Sequence, residues 1–180
     1  TELLSEFKDL QLFKELEKGV MESYLRDTYS VSITVNTEEA GSISVKNIKG
    51  IDLTEGQMIQ YGKIILSATA NEGYKFAGWF KQDSKGLSAV SYQIKDTISV
   101  ESNIEYVAVF DKPFEVKVSS SEGGSAKIST AIEVDKTILN VTKYEPITFK
   151  AEAAEGYKFV NWTDAEGKIL TAPGEHKGIK

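Results

Sequence analysis

Hydrophobic positions along the chain follow two different periods. Over the first thirty residues Leu3, Leu4, Phe7, Leu10, Phe13, Leu16, Val20, Tyr24 and Leu25 recur every three or four places, the stripe of an amphipathic helix. Glu6, Lys8, Lys14, Glu15, Lys18 and Glu22 fill much of the opposite face. Gly19 is placed to end or kink this helix, at about 1 kcal/mol relative to Ala. Such a stripe can be a partner-binding or coiled-coil seam, but more often it packs on a neighbouring domain. From Val31 onward the period drops to two. Val31-Ser32-Ile33-Thr34-Val35 and Glu105-Tyr106-Val107-Ala108-Val109-Phe110 read as half-buried and buried strands. Between such runs stand Glu39-Ala40-Gly41-Ser42 and Asn71-Glu72-Gly73, where glycine supports tight turns.

The strand-rich part repeats itself. A shift of 83 carries Ile33-Thr34-Val35 onto Val116-Lys117-Val118, and Glu39-Ala40-Gly41-Ser42 onto Glu122-Gly123-Gly124-Ser125. The same shift lays Tyr61–Phe80 on Tyr144–Thr163 without a gap, with ten of the twenty residues identical. Chance does not produce that, and it makes the chain a tandem of one supersecondary unit. The shared segment Glu-Gly-Tyr-Lys-Phe-x-x-Trp places Tyr74, Phe76 and Gly78 on one face of a strand, with Tyr157, Phe159 and Asn161 as counterparts. Trp79 falls on the opposite face unless a bulge re-aims it. Ala68 and Ala70, like Ala151 and Ala153, leave room for rings to pack above them. Aromatics repeated in a small β unit are usually core. The functional rival is an exposed platform on which Tyr74 or Trp79 stacks sugar rings.

Composition narrows the chemistry. The 180 residues carry 27 acidic and 21 basic side chains, a formal charge of -6, and Arg26 is the one arginine. That balance offers no basic surface for a phosphate backbone, so nucleic acid is not an expected partner. No run of about 18 apolar residues occurs, so no membrane-inserting helix is expected, and no signal peptide is visible. A chain opening on Thr1 rather than Met is expected to be an excised part of a longer protein. There is no cysteine, and the single histidine, His176, sits in a loop-like tail. One imidazole without a second ligand reads as a solvated side chain, not as a metal site or part of a triad. Asp164-Ala165-Glu166-Gly167 reads as a turn and not as half a calcium loop. Neither phosphate-cradling nor nucleophile-elbow glycine motifs are present. No catalytic, cofactor-binding or metal-binding residue is therefore assigned, no cofactor is expected, and the chain is not expected to be an enzyme. One covalent candidate survives: an amide cross-link between Lys150 and Asn161, both in predicted strands.

These motifs together resemble the divergent internalin-type B-repeat of bacterial surface proteins, related to the Listeria–Bacteroides repeats. The corresponding pieces are the turn Glu39–Ser42, the Ala-rich strand Ile64–Ala70, the segment Gly73–Trp79 and the closing strand Val107–Phe110. In the second copy they are Glu122–Ser125, Ile147–Ala153 and Gly156–Trp162. The resemblance covers about 31–180. It implies β-grasp-like modules with little helix, secreted or displayed on a bacterial cell surface, acting as spacer, stalk or protein-interaction module. A protein partner or a host or cell-surface component is the implied ligand.

The expected fold is mainly β with an N-terminal helical segment: a helical lead over 1–30, then two tandem small modules at 31–113 and 114–180. Two features depart from the family pattern. Lys46–Gln60, matched by Ser129–Lys143, is long and is expected to form an extra hairpin or small helix. The last strand of copy one, carried on by 83, falls beyond Lys180. The second module is thus expected to be cut short, with an open edge that further chain or a second molecule would cover, giving a route to oligomers. Asp111-Lys112-Pro113 is a short connector, and Pro113 holds Lys112 extended, which predicts a semi-rigid tandem.

Overall fold

A computed structural model describes residues 14–18, 28–55, 57–60 and 62–170, with 57–60 described by their backbone. Most of the helical lead read over 1–30 lies outside these residues, as does His176; within the lead, residues 14–18 form one exposed helical turn. The rest is mainly β, in two tandem modules.

In the first module the opening strand β1 (Thr28–Val35) is followed by β2 (Gly41–Asn47), β3 (Gln57–Gln60) and β4 (Gly62–Ala70). Then come β5 (Lys75–Asp83), β6 (Gly86–Ser91), β7 (Lys95–Val100) and the closing strand β8 (Ile104–Asp111). They form a five-stranded sheet ordered β3-β1-β8-β5-β6 and a three-stranded sheet ordered β2-β4-β7. First and last strands lie side by side and parallel, Val31 opposite Ile104 and Val35 opposite Ala108. All other pairings in these sheets are antiparallel. The core between the sheets holds Val31, Ile33, Ile64, Leu66, Phe76, Trp79, Val100, Ile104 and Phe110. Ala68 is buried there as the small-residue reading expects, whereas Ala70 is exposed.

The aromatic segment is packed by a bulge. The β5–β8 register slips between Phe76 and Gly78, so Trp79 returns to the face that Phe76 occupies instead of pointing away. Their rings meet edge-on at 5.1 Å, and Phe110 meets Phe76 at 5.4 Å. The Trp79 indole is fully buried and donates from Nε1 to the Gln93 carbonyl at 2.9 Å. Gly78 sits in the bulge at φ 141°, a conformation that side chains with a Cβ resist. Ala77 and Phe80 face the other way, into a smaller cluster with Val109.

The second module reuses part of this plan. Its strands are β9 (Phe114–Lys117), β10 (Gly124–Ser129), β11 (Ile138–Val141) and β12 (Thr148–Ala153). β9 pairs antiparallel with β11 as β1 does with β3. β10–β12 keeps the β2–β4 register at an offset of 83 on both strands: Gly41 lies opposite Ala70, and Gly124 opposite Ala153. The long excursion in each copy contains a short bridged turn. Lys46 pairs with Asp52 in the first and Ile128 with Lys136 in the second, so the hairpin alternative is the one adopted in the described residues. The core is smaller, built on Ile128, Leu139 and Val141.

One expectation fails. The segment around Phe159, Val160, Asn161 and Trp162 is not a strand, although its twin β5 is. In the first module β5 is held by ladders to both β8 and β6. Among the described residues the second module has neither partner, and a strand's backbone groups cannot be satisfied alone. Asn161, standing where Gly78 makes the bulge, has no positive φ.

Candidate functional site

Two places in the molecule bring unlike side chains together: the junction between the modules and an open groove in the second. The junction is built on a two-residue link, Lys112-Pro113, between the end of β8 and the start of β9. Lys75, the first residue of β5, reaches across it. Its Nζ lies 2.9 Å from Glu145 Oε1 and donates to the Asn140 carbonyl at 2.6 Å, with Glu133 at 3.8 Å. The Glu145 side chain is 4% exposed and that of Lys75 22%. The other carboxylate oxygen, Oε2, accepts the Thr142 backbone N–H at 2.8 Å, and the Glu145 N–H bonds back to the Thr142 carbonyl at 3.2 Å. A buried carboxylate is tolerable when both oxygens are matched in this way.

Apolar contact closes the same interface. Tyr144 packs on Phe80, ring centres 5.7 Å apart, within the cluster of Ala77, Phe80, Val109 and Tyr92. Burial pushes the Tyr92 phenol above its ordinary range, and the negative Glu145 adds to the rise. At the rim Lys143 meets Asp111 at 3.4 Å and lies 5.0 Å above the Tyr144 ring. The hydrogen bond to Asp111 holds Lys143 above the usual lysine range. One group here is poorly served: the buried Thr142 hydroxyl has no hydrogen-bond partner among the described residues. The short connector thus leads into a joint with a salt bridge and a ring contact.

The groove lies beside β10 and β12. Ala126, Ala151, Phe159 and Trp162 line it together with polar Ser119, Glu152 and Asn161, and its volume is about 290 Å³. Phe159 and Phe149 pack against Trp162 at 5.7 and 5.5 Å. Exposure differs sharply between twins: Val31 is 3% exposed, and Phe114 in the same place 49%. Ala77 is 1% exposed and its twin Val160 56%.

Residues singled out from sequence fare unevenly. Trp79 belongs to the core, so its ring offers no sugar-stacking face, and Tyr74 is half-buried against that core. Lys150 pairs with Glu152 at 2.6 Å, both more than half exposed. The hydrogen bond that Lys150 donates to Glu152 raises the Lys150 pKa, whereas amide formation needs a neutral, desolvated amine. Asp164 accepts the N–H groups of Glu166 and Lys168 through Oδ1, the turn expected there. Among the described residues no group of three His, Cys, Asp or Glu side chains could hold a metal ion. No helix among them is long and apolar enough to cross a membrane. The Lys75–Glu145 pair escaped the sequence reading. Its one trace is Glu145 standing beside Tyr144 where the twin of that pair is Tyr61-Gly62.

No curated protein matches the chain. The family model of the divergent InlB B-repeat domain matches twice in tandem, over residues 31–113 and 114–175. Those matches fall on the two β modules and cover most of the sequence, and the chain belongs to the divergent InlB B-repeat domain family.

Proposed function

We propose that this chain is a non-enzymatic tandem module of a bacterial surface or secreted protein, working as a semi-rigid spacer that also presents a protein-binding face. The junction carries this reading. A two-residue connector with a buried ion pair and a shared aromatic cluster transmits orientation from one repeat to the next, which a flexible linker cannot do. Membership of a repeat family supports it. The carbohydrate-binding reading draws no support from Trp79, whose ring is enclosed.

Residual dipolar couplings and small-angle scattering on the chain test the spacer. One alignment tensor should fit both modules, and two independent tensors would remove the rigid-spacer reading.

A further inference from the structure

Tension along this chain reaches the first module through its first and last strands. Thr28 opens β1 and Asp111 ends β8, and the two strands lie side by side and parallel. In a parallel pair the start of one strand and the end of the other stand at opposite ends of the ladder. A pull on the flanking chain therefore runs along the ladder and slides one strand past the other, so that its evenly spaced bonds resist together. A pull across the ladder would open the same bonds one after another. Among the described strands, β1–β8 is the pairing that joins β3-β1 to β8-β5-β6, so the sheet has to part where the tension acts.

Side chains extend this ladder at both ends. Pairing runs from Val31 opposite Ile104 to Val35 opposite Ala108, and the Asn36 N–H adds a bond to the Ala108 carbonyl at 3.1 Å. Beyond that point the Asn36 amide stands in for a further residue of backbone. Its Oδ1 accepts the Phe110 N–H at 2.8 Å, and its Nδ2 donates to the Phe110 carbonyl at 2.9 Å. At the opposite end Asn103 Oδ1 accepts the Ser30 N–H at 3.0 Å. These bonds link residues 73 or 74 positions apart, so they fasten the two strands to each other and serve no local turn. Val31, Ile33, Ile104, Ala108 and Phe110 back the ladder from the core.

We propose that the first module is a tension-bearing clamp. The β1–β8 ladder, with Asn36 and Asn103 locking its two ends, resists force passing from Thr28 to Lys112 by shear and keeps the module folded while the chain is pulled. This deepens the spacer half of the reading above and rests on it. The clamp concerns one ladder inside one module, so it can fail while the shared alignment tensor holds, and the reverse.

The chain contains no cysteine, so two introduced thiols give unique attachment points for DNA handles in optical tweezers. In the full chain, T28C with K112C pulls along the ladder, and E38C with K112C pulls across it from one end. All three positions are exposed and outside the paired residues, so both versions keep the ladder itself unchanged. At equal force the folded state pulled from 28 and 112 should last about a hundredfold longer than when pulled from 38 and 112, as when about three more bonds must give way together. N36A should shorten the lifetime along the ladder about thirtyfold, the effect of two lost bonds. N103A should shorten it about fivefold along the ladder, the effect of one, and leave it unchanged across the ladder, where Asn103 lies at the far end and parts last.

Equal lifetimes in the two geometries would overturn the proposal. So would an N103A variant that shortens both lifetimes alike, which would make Asn103 a contributor to general stability and not a lock on the sheared ladder.

Discussion

Replacing Lys75 by Met and Glu145 by Gln, singly and together, measures how firmly the two modules are joined. In K75M the Glu145 carboxylate keeps the Thr142 N–H on Oε2, but Oε1 loses its ammonium while remaining almost wholly buried. Stranding one member of a buried pair costs about 3–5 kcal/mol, and the partly solvated amine places this case near 3. In E145Q the amide oxygen can still accept from Thr142, and Lys75 retains the Asn140 carbonyl and a distant Glu133. That change should cost about 1 kcal/mol. The double variant removes both charges, so it should cost about 2 kcal/mol, leaving a coupling of roughly 2 kcal/mol between the sites. Urea unfolding followed separately at the indole N–H resonances of Trp79 and Trp162 gives the assay. With the junction intact both probes should report one midpoint, and in K75M the midpoints should separate as the modules lose their mutual support. A coupling energy below about 0.5 kcal/mol would refute the claim that this pair joins the modules, since exposed pairs reach that value unaided.

The remaining predictions concern single sites. W79A should destabilise its module by about 3–5 kcal/mol, as removal of a fully enclosed ring does, and W162A by clearly less because its ring is only partly buried; thermal melts of the two variants compare them. T142V should be neutral or stabilising by about 1 kcal/mol, since it removes a buried hydroxyl without a partner; a lower urea midpoint would show that the hydroxyl is matched after all. Gly41→Ala should cost about 1–3 kcal/mol by overpacking, because the added Cβ meets the Thr69 carbonyl at 2.7 Å as well as the Phe110 ring. Asp83 accepts hydrogen bonds from Ser88 and the Lys85 N–H, which hold its carboxyl below the ordinary aspartate range. A lowered folded pKa stabilises above the unfolded value and is lost as pH falls through the folded one. The Lys85 amide should therefore titrate with a midpoint below that of a free aspartate, and D83N should abolish that titration.

How much of this was written in local sequence depends on how far apart the interacting residues lie. β1 and β8 announce themselves through alternation and β-branched content, and the turns through Gly73 and Gly156. The repeat supplied the module plan directly. The bulge at Gly78 was legible only as an alternative, because a two-residue period cannot say where a ladder slips; the glycine was the hint. The junction was not legible. Lys75 and Glu145 lie 70 residues apart in different copies, and neither position has a local pattern that names the other. Most of the amphipathic lead falls outside the described residues, so its stripe stays an expectation.

The two copies act as an internal control on what the aromatic motif encodes. From its lysine onward Glu-Gly-Tyr-Lys-Phe-x-x-Trp opens the nine-residue strand β5 in the first module, whereas in the second it is irregular chain, with the turn glycine, the Tyr, the Phe and the Trp unchanged. Its strand character therefore comes from its neighbours: β8 on one side, β6 on the other and a glycine at the bulge. Burying Phe76 and Trp79 then follows from β8 closing over them with Phe110, and where no such strand lies among the described residues, Val160 stays at the surface. The motif is better read as a socket than as a self-sufficient element.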